Sequence, residues 1–426
     1  MPKKSDPETT AKDFVNLLVR GDYFNAERDF DNTMAGALPQ AKLQQTWETL
    51  IGQVGPFQSQ LGMRRQNVQQ YDVVFVTCKF EKDTLDIKVV LNSSGQIAGL
   101  YFVPPASKVQ YVPPSYVQQG SFSESAVTVG DGEWALPGTL TLPVGKGPFP
   151  AVVLVHGSGP HDRDETIGPN MPFRDLAFGL ASKGIAVLRY EKRTKEYGPK
   201  LLSVKDSLTV REETIDDAIA AVSQLQKTKG VNPKKIFLLG HSLGGMLIPR
   251  IGKLDKTIAG FIVMAGTSRP LEDVILEQMV YIFSLDTANA ALKKNQLELI
   301  RKQVALVKDP ALSRSTPSGD LPLNVPAAYW LDLRDYHPAE LAKGETRPML
   351  FLQGERDYQV TMEDFQAWKK SLSGMTNVEF KSYPKLNHLF IEGKGKSTPD
   401  EYATAGHVSG AVIADIARWI SARKAQ

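Results

Sequence analysis

The chain has 426 residues, long for one domain and comfortable for two, and its 42% hydrophobic and 23% charged content is that of an ordinary soluble globular protein. Lys and Arg number 50 against 47 Asp and Glu, a net charge of +3 that is too balanced to argue for nucleic acid. No apolar run approaches the roughly 18 residues of a membrane helix, and the single cysteine, Cys78, excludes an internal disulfide.

The start, Met1-Pro2-Lys3-Lys4-Ser5-Asp6-Pro7, carries no apolar core and reads as no signal peptide. A cytoplasmic location is the expectation, or a secreted or periplasmic one if a signal was removed. Residues 8–104 read as a small α+β module. Ala11, Phe14, Val15 and Leu18 recur at helical spacing, as do Leu43, Trp47, Leu50, Ile51 and Val54. Strand-like runs follow at 72–80, 86–91 and 97–103, with Asn92-Ser93-Ser94-Gly95 as a hairpin turn between the last two. Helices first and an antiparallel sheet afterwards make one small layered unit. It is similar to the cone-shaped NTF2-like and cystatin-like domains. It shows no catalytic set, so binding, assembly or shielding is its expected use, and Cys78 reads as a small buried hydrophobe.

Pro104-Pro105 and Pro113-Pro114 mark a linker over 105–120, which proline pairs make semi-rigid. A larger domain is expected over 121–426. It opens with two antiparallel strands, 125–129 and 139–142, around Gly130-Asp131-Gly132-Glu133. The apolar strand Ala151–Val155 then runs into His156-Gly157-Ser158-Gly159-Pro160. A helix near 173–183, a strand at 185–190 and a helix near 211–226 come next. The charged run Lys192-Arg193-Thr194-Lys195 between them reads as a solvated loop. Strands alternating with helices call for a parallel sheet covered on both faces.

After the apolar run Lys235–Leu239 stands Gly240-His241-Ser242-Leu243-Gly244, followed by a plausible helix. G-x-S-x-G between a buried strand and a helix exposes the serine on a sharp turn, as a catalytic nucleophile requires. A serine is inert until a base takes its proton and a carboxylate orients that base. Strand 348–353 runs into the loop that carries Asp357, and strand 378–384 leads to His388. Ser, Asp and His in that chain order, each past the carboxyl end of a strand, converge on the edge where open α/β sheets bind ligands. The glycine-rich loop after Val155 supplies an oxyanion hole, assigned to the backbone N–H groups of Ser158 and Leu243, with His156, Gly157, Gly159, Gly240 and Gly244 as supporting residues. His337 and His407 are competitors of His388, but the first belongs to the return of the insertion and the second opens the last helix; Asp332 and Asp335 compete with Asp357, but neither follows a clear strand. The acidic group Asp162, Asp164, Glu165 with Arg163 reads as a loop stitched by charge-assisted hydrogen bonds. It has no histidine or cysteine at zinc-ligand spacing.

On these residues the chain from about Ser121 onward resembles the α/β-hydrolases. The stretch His156–Thr166 together with Gly240–Gly245 is similar to bacterial carboxylesterases of the EstD type. The resemblance implies an α/β fold with an eight-stranded, mostly parallel sheet, and a serine mechanism with no metal and no cofactor. The interval between strand 258–265 and the strand at 349 far exceeds one crossover. It reads as a helical cap insertion at about 268–345, with helices at 271–283 and 290–307 and a loop at 313–320, and with Tyr281, Phe283, Tyr329 and Trp330 as candidates to line a pocket. The expected function is hydrolysis of small carboxylic esters with short to medium acyl chains, with neither nucleic acid nor membrane as partner and the oligomeric state left open. A thioesterase, an acyltransferase or a serine peptidase would use the same triad. A binding protein on an inactive hydrolase fold is the reading from another class, and the intact Ser242, Asp357 and His388 argue against it.

Overall fold

A computed structural model describes residues 6–68, 71–103, 105, 111–201, 204–285 and 290–423, so most of the opening segment weighed for a signal peptide lies outside them. The chain divides into two compact units, Met1–Gln110 and Tyr111–Gln426. Among the described residues no helix is long and apolar enough to cross a membrane.

In the first unit the helix Pro7–Val19 starts at Asp6, whose carboxylate accepts from the Thr9 N–H at 3.2 Å and satisfies one free donor of the first turn. It buries Ala11, Phe14, Val15 and Leu18, and the helix Gln40–Val54 buries Leu43, Trp47, Leu50 and Val54. Both pack on an antiparallel sheet of β1 (Phe57–Val68), β2 (Tyr71–Phe80), β3 (Thr84–Leu91) and β4 (Ile97–Val103), in that order. The sequence pattern did not announce β1. Its run Gln58-Ser59-Gln60-Leu61-Gly62 lacks alternation and β-branched residues. Pairing with β2, from Phe57 opposite Phe80 to Val68 opposite Tyr71, makes it a strand despite two register shifts. Cys78 is fully buried; burial first, and then the Asp86 charge, push its thiol up to about 12.

The second unit is built on eight strands: β5 (Phe122–Val129), β6 (Leu136–Pro143), β7 (Phe149–Val155), β8 (Ala186–Tyr190), β9 (Val231–His241), β10 (Gly260–Met264), β11 (Met349–Gly354) and β12 (Val378–Tyr383). Their order across the sheet is β5-β6-β8-β7-β9-β10-β11-β12. Pairings from β8 through β12 are parallel, while β6 pairs antiparallel with both β5 and β8. Parallel strands are covered on both faces and so are apolar throughout rather than alternating. β8, β10 and β11 are accordingly buried at every position. Helices Asp216–Gln226, Leu243–Leu254 and Met362–Ser371 close one face, and Pro172–Ala181 and Gly410–Ser421 the other.

Two expectations need correction. Residues 111–120, read as linker, belong to the second unit and lie along it. The Tyr111 hydroxyl donates to Asp175 at 2.7 Å and the Tyr116 hydroxyl to the Val408 carbonyl at 2.8 Å. Tyrosines on either side of Pro113-Pro114 anchor what proline content alone read as a spacer, and positions 104 and 106–110 lie outside the described residues. The helix expected from 211 begins instead as a π-helical turn, Arg211–Ile215, before continuing as Asp216–Gln226.

Between β10 and β11 comes a helical insertion with helices Leu271–Ser284, Ala290–Lys308 and Ala327–Leu333. It has its own small core of Ile275, Val307, Leu312, Leu321, Ala327 and Trp330. The first helix rests on the loop after β11. Gln278 donates to the Gln359 carbonyl at 2.9 Å, and Tyr281 stacks on Tyr358 with ring centroids 5.1 Å apart. The third is tied to the sheet unit by Arg250–Asp332, with nitrogen and oxygen 2.6 Å apart, and by Tyr329.

Candidate active site

Ser242 stands between the end of β9 and the helix Leu243–Leu254 with φ 52° and ψ −117°, a left-handed conformation that is strained for any residue with a Cβ. Its N–H is held by the Met264 carbonyl at 2.9 Å, and its own carbonyl accepts from Met246 at 2.9 Å to start the helix. The flanking glycines are required by crowding. A Cβ on Gly240 would lie 2.6 Å from the Gly245 nitrogen, and one on Gly244 2.7 Å from the His156 carbonyl oxygen. The strand and helix therefore close up only without side chains at these two positions. Ser242 itself stays half-buried.

Asp357 and His388 come from the loops after β11 and β12, and Asp357 Oδ2 lies 2.7 Å from His388 Nδ1. The other carboxylate oxygen accepts from the N–H groups of Gln359 at 2.7 Å and Val360 at 3.0 Å, so the Asp357 plane is fixed before the imidazole is considered. Both side chains are nearly inaccessible. The competitors are engaged elsewhere: Asp332 pairs with Arg250, His407 with Asp175 at 3.0 Å, and His337 and Asp335 are exposed.

The loop after β7 is fixed at almost every polar atom. The Gly157 N–H donates to Glu165 Oε1 at 2.7 Å, and the Gly157 carbonyl accepts from Lys192 Nζ at 2.7 Å. His161 Nε2 donates to the Ser158 carbonyl at 2.6 Å, and Gly159 takes φ 98°, which suits a residue without a Cβ. None of these bonds uses the N–H of Ser158 or of Leu243. His156 Nε2 sits 3.0 Å from the Asp162 carbonyl oxygen, and its ring packs against Phe173 and Tyr190. Burial, chiefly, lowers the His156 pKa to about 3, so this imidazole is neutral and braces the loop. The acidic group turns inward. Asp162 accepts from the N–H groups of Asp164 and Thr166, Asp164 pairs with Arg174 and Arg189, and Arg163 pairs with Glu191.

Behind the serine lies an ion pair. His241 Nδ1 is 2.9 Å from Glu165 Oε2, and His241 Nε2 donates to the His388 carbonyl at 3.0 Å. Burial alone would lower the imidazole pKa, but the Glu165 charge and these contacts carry it above its ordinary value. Burial would likewise raise the Glu165 pKa, and His241 above all brings it down to about 2. One residue pair thus joins the Gly157 loop, the turn before Ser242 and the His388 loop.

The charged run at 192–195 is not the solvated loop its composition indicated. The Lys192 side chain is 2% exposed and pairs with Glu213 at 2.7 Å, and Arg193 pairs with Asp217. Sequence reasoning placed neither Lys192 nor Glu213 at the site. The one available signal was the position of Lys192 just past the end of β8, on the same edge as Ser242. Of the four aromatic residues weighed as pocket lining, Trp330 fills the insertion's core and Tyr329 is buried with its hydroxyl on Glu213. Phe283 is half-buried. Tyr281 borders a cavity of about 530 Å³ with Glu277, Asp357, Tyr358 and Ser397. A larger cavity of about 670 Å³, among Arg250, Asp332 and Tyr336, is lined by none of Ser242, Asp357 and His388.

Residues 152–405 match the family described as "Alpha/beta hydrolase family", and residues 11–100 match one described as "Protein of unknown function (DUF3887)". Esterase EstD of Thermotoga maritima is 42% identical over 410 residues, which span 96% of this chain and 93% of that one. Protein phosphatase methylesterase 1 of Gibberella zeae is 26% identical over 159 residues, 36% of this chain and 37% of its own. Among solved structures, Est1E from Butyrivibrio proteoclasticus is 15% identical, with 70% of this chain and 99% of that one covered and a TM-score of 0.45. A family match running from 152 to 405 and a relative similar along nearly the whole length agree with the sheet order and the serine turn: the chain belongs to the alpha/beta hydrolase family.

Proposed function

We propose that the protein is a carboxylesterase in which Ser242 is the nucleophile, His388 the base and Asp357 its orienting carboxylate. The observation that carries this reading is the 2.7 Å contact of Asp357 with His388 on the sheet edge where Ser242 is held in a strained turn. The relation to an esterase along 96% of the chain supports it.

With Asp357 accepting from Nδ1–H, Nε2 of His388 is the free base. The Ser242 hydroxyl oxygen bonds to the ester carbonyl carbon as its proton passes to Nε2. The Ser158 and Leu243 N–H groups receive the oxyanion, and each such donor is typically worth about 3 kcal/mol of barrier. The bond to the leaving oxygen then breaks, and His388 returns the proton to it as the alcohol. Water repeats the sequence on the acyl-enzyme, giving the acid and restoring Ser242. The insertion acts as a cap that limits the acyl group to short and medium chains, with Tyr281 beside the Asp357 loop.

The test is hydrolysis of p-nitrophenyl esters from acetate to palmitate by wild type and Ser242→Ala. The expected outcome is a rate optimum at short to medium chains and a loss of kcat of about five orders of magnitude or more in the variant. Turnover that survives the substitution, or none by wild type on any ester, would overturn the reading.

A further inference from the structure

Lys192 is a buried cation to which the triad gives no role. Its ammonium bridges the Gly157 carbonyl and Glu213 Oε1, each at 2.7 Å. Glu213 lies in the π-helical turn before the helix Asp216–Gln226, and such turns recur at functional sites. Glu213 Oε2 accepts from the Tyr329 hydroxyl at 2.7 Å, and Tyr329 sits on the insertion's helix Ala327–Leu333. Burial, and then the Glu213 charge, keep the Tyr329 phenol protonated, so it is the donor in that bond.

The Gly157 carbonyl and the Ser158 N–H are opposite edges of one planar peptide. Whatever fixes the carbonyl therefore fixes the direction of the N–H. Neighbouring groups are committed in the same sense, the Gly157 N–H to Glu165 and the Ser158 carbonyl to His161. Polarisation along hydrogen-bonded chains strengthens the next donor, so a cation on the carbonyl edge makes Ser158 N–H a better one. A buried ammonium needs acceptors for its three N–H donors, and any nearby carbonyl would serve a purely structural lysine. This one is aimed at the peptide that carries the oxyanion donor.

We propose that Lys192 is the positioning residue of the oxyanion hole, and that the chain Tyr329–Glu213–Lys192–Gly157 links the seating of the helical insertion to the direction of the Ser158 N–H. The proposal rests on the reading of Ser242 as nucleophile and Ser158 N–H as oxyanion donor. Insertion and hole then act together, because an insertion out of place releases Glu213, and Lys192 loses the partner that holds it on Gly157.

Three variants test it on a p-nitrophenyl ester that wild type hydrolyses, with Ser242→Ala alongside. Lys192→Met keeps the stem and removes the charge, but it strands the Glu213 carboxylate. The double variant Lys192→Met/Glu213→Gln removes both charges, and removing both partners of a buried pair is far milder than removing one. The expected result is a double variant with near-wild-type melting temperature whose kcat is lower by about 10²-fold, the scale of a lost oxyanion donor. KM should stay within about two-fold, since only transition-state interactions are lost. Binding of a trifluoromethyl ketone, which forms a tetrahedral adduct on the serine, should weaken in step with kcat/KM. Tyr329→Phe removes a single oxygen and should lower kcat by several-fold at constant KM. A folded double variant with wild-type kcat, beside an inactive Ser242→Ala, would overturn the positioning role and leave the esterase reading standing. Wild-type kcat in Tyr329→Phe would cut the link to the insertion. An active Ser242→Ala would instead remove the reading on which the proposal rests. Should the double variant not fold, an unchanged kcat in Tyr329→Phe overturns the proposal as a whole, because the chain it states then has no effect on the hole, and a several-fold loss at constant KM sustains it.

Discussion

The two units handle buried charge in opposite ways. Among the described residues the first unit buries one charged side chain, Asp86, which meets Arg64 at 3.1 Å and Thr77 at 2.6 Å, and its core is otherwise made of residues such as Phe14, Trp47 and Phe80. The second unit buries many more, and six of them, Glu165, Lys192, Glu213, His241, Asp357 and His388, gather where β7, β8, β9, β11 and β12 end, while Asp175, Arg347 and Asp415 are among those that lie elsewhere. A buried ion pair is seldom the most stable choice for a core, because apolar residues of similar volume do as well or better. The first unit shows that this chain can fold a domain almost without such pairs. The six at that edge are the ones the proposed chemistry accounts for, whereas Arg347, tied to Glu345 and to three backbone carbonyls, serves packing.

The sharpest way to break this contrast is at Asp357. Asp357→Asn preserves the two backbone hydrogen bonds to the side-chain oxygen but no longer enforces the Nδ1–H tautomer of His388. Steady-state kinetics should show kcat lower by about 10⁴-fold, the loss typical of this substitution in a serine triad. A variant within ten-fold of wild type would show that the most buried pair of the edge does no chemistry, and the contrast between the units would lose its meaning.

Glu165→Gln tests the second layer of charge. It leaves His241 buried without its counter-ion, so a loss of about 3–5 kcal/mol is expected. The loss should depend on pH. Glu165 is held at about 2, below its ordinary value of 4.5, so its contribution is complete above that ordinary value and fades as the pH falls towards 2. His241 is raised above its ordinary 6.5, so its contribution is complete below 6.5 and fades as the pH climbs through the raised value. Melting scans of wild type and variant should thus differ most between about pH 4.5 and 6.5 and converge on both sides. A gap that stays constant from pH 3 to 9 would rule out the ion pair as its source.

What the sequence revealed about this edge was whatever is written locally. The apolar runs of β7, β9, β10 and β11, the two glycines around Ser242 and the positions of Asp357 and His388 just past strands are all short-range signals. Lys192 was hidden because a buried lysine and a solvated one are spelled alike. Its burial depends on Glu213 and Tyr329, which reach it only after the sheet and the insertion are assembled. Glu165 was visible only as one acid among several, and its distinct task follows from the contact with His241 rather than from its neighbours in the chain. β1 was missed for a related reason, since a strand without alternation is specified by its partner.

The smallest effect is expected in the first unit, and it sharpens the comparison most economically. Asp86→Asn keeps a hydrogen-bonding side chain against Thr77 and Arg64 while removing the one buried charge of that core. The change should lower stability by about 1–2 kcal/mol, the scale of a weakened charge-assisted hydrogen bond. It should leave kcat and KM on a p-nitrophenyl ester unchanged, because Asp86 lies in the first unit and the proposed triad in the second. A fall in kcat with the fold intact would mean that the first unit acts on the reaction after all, and the division of labour drawn from buried charge would have to be abandoned.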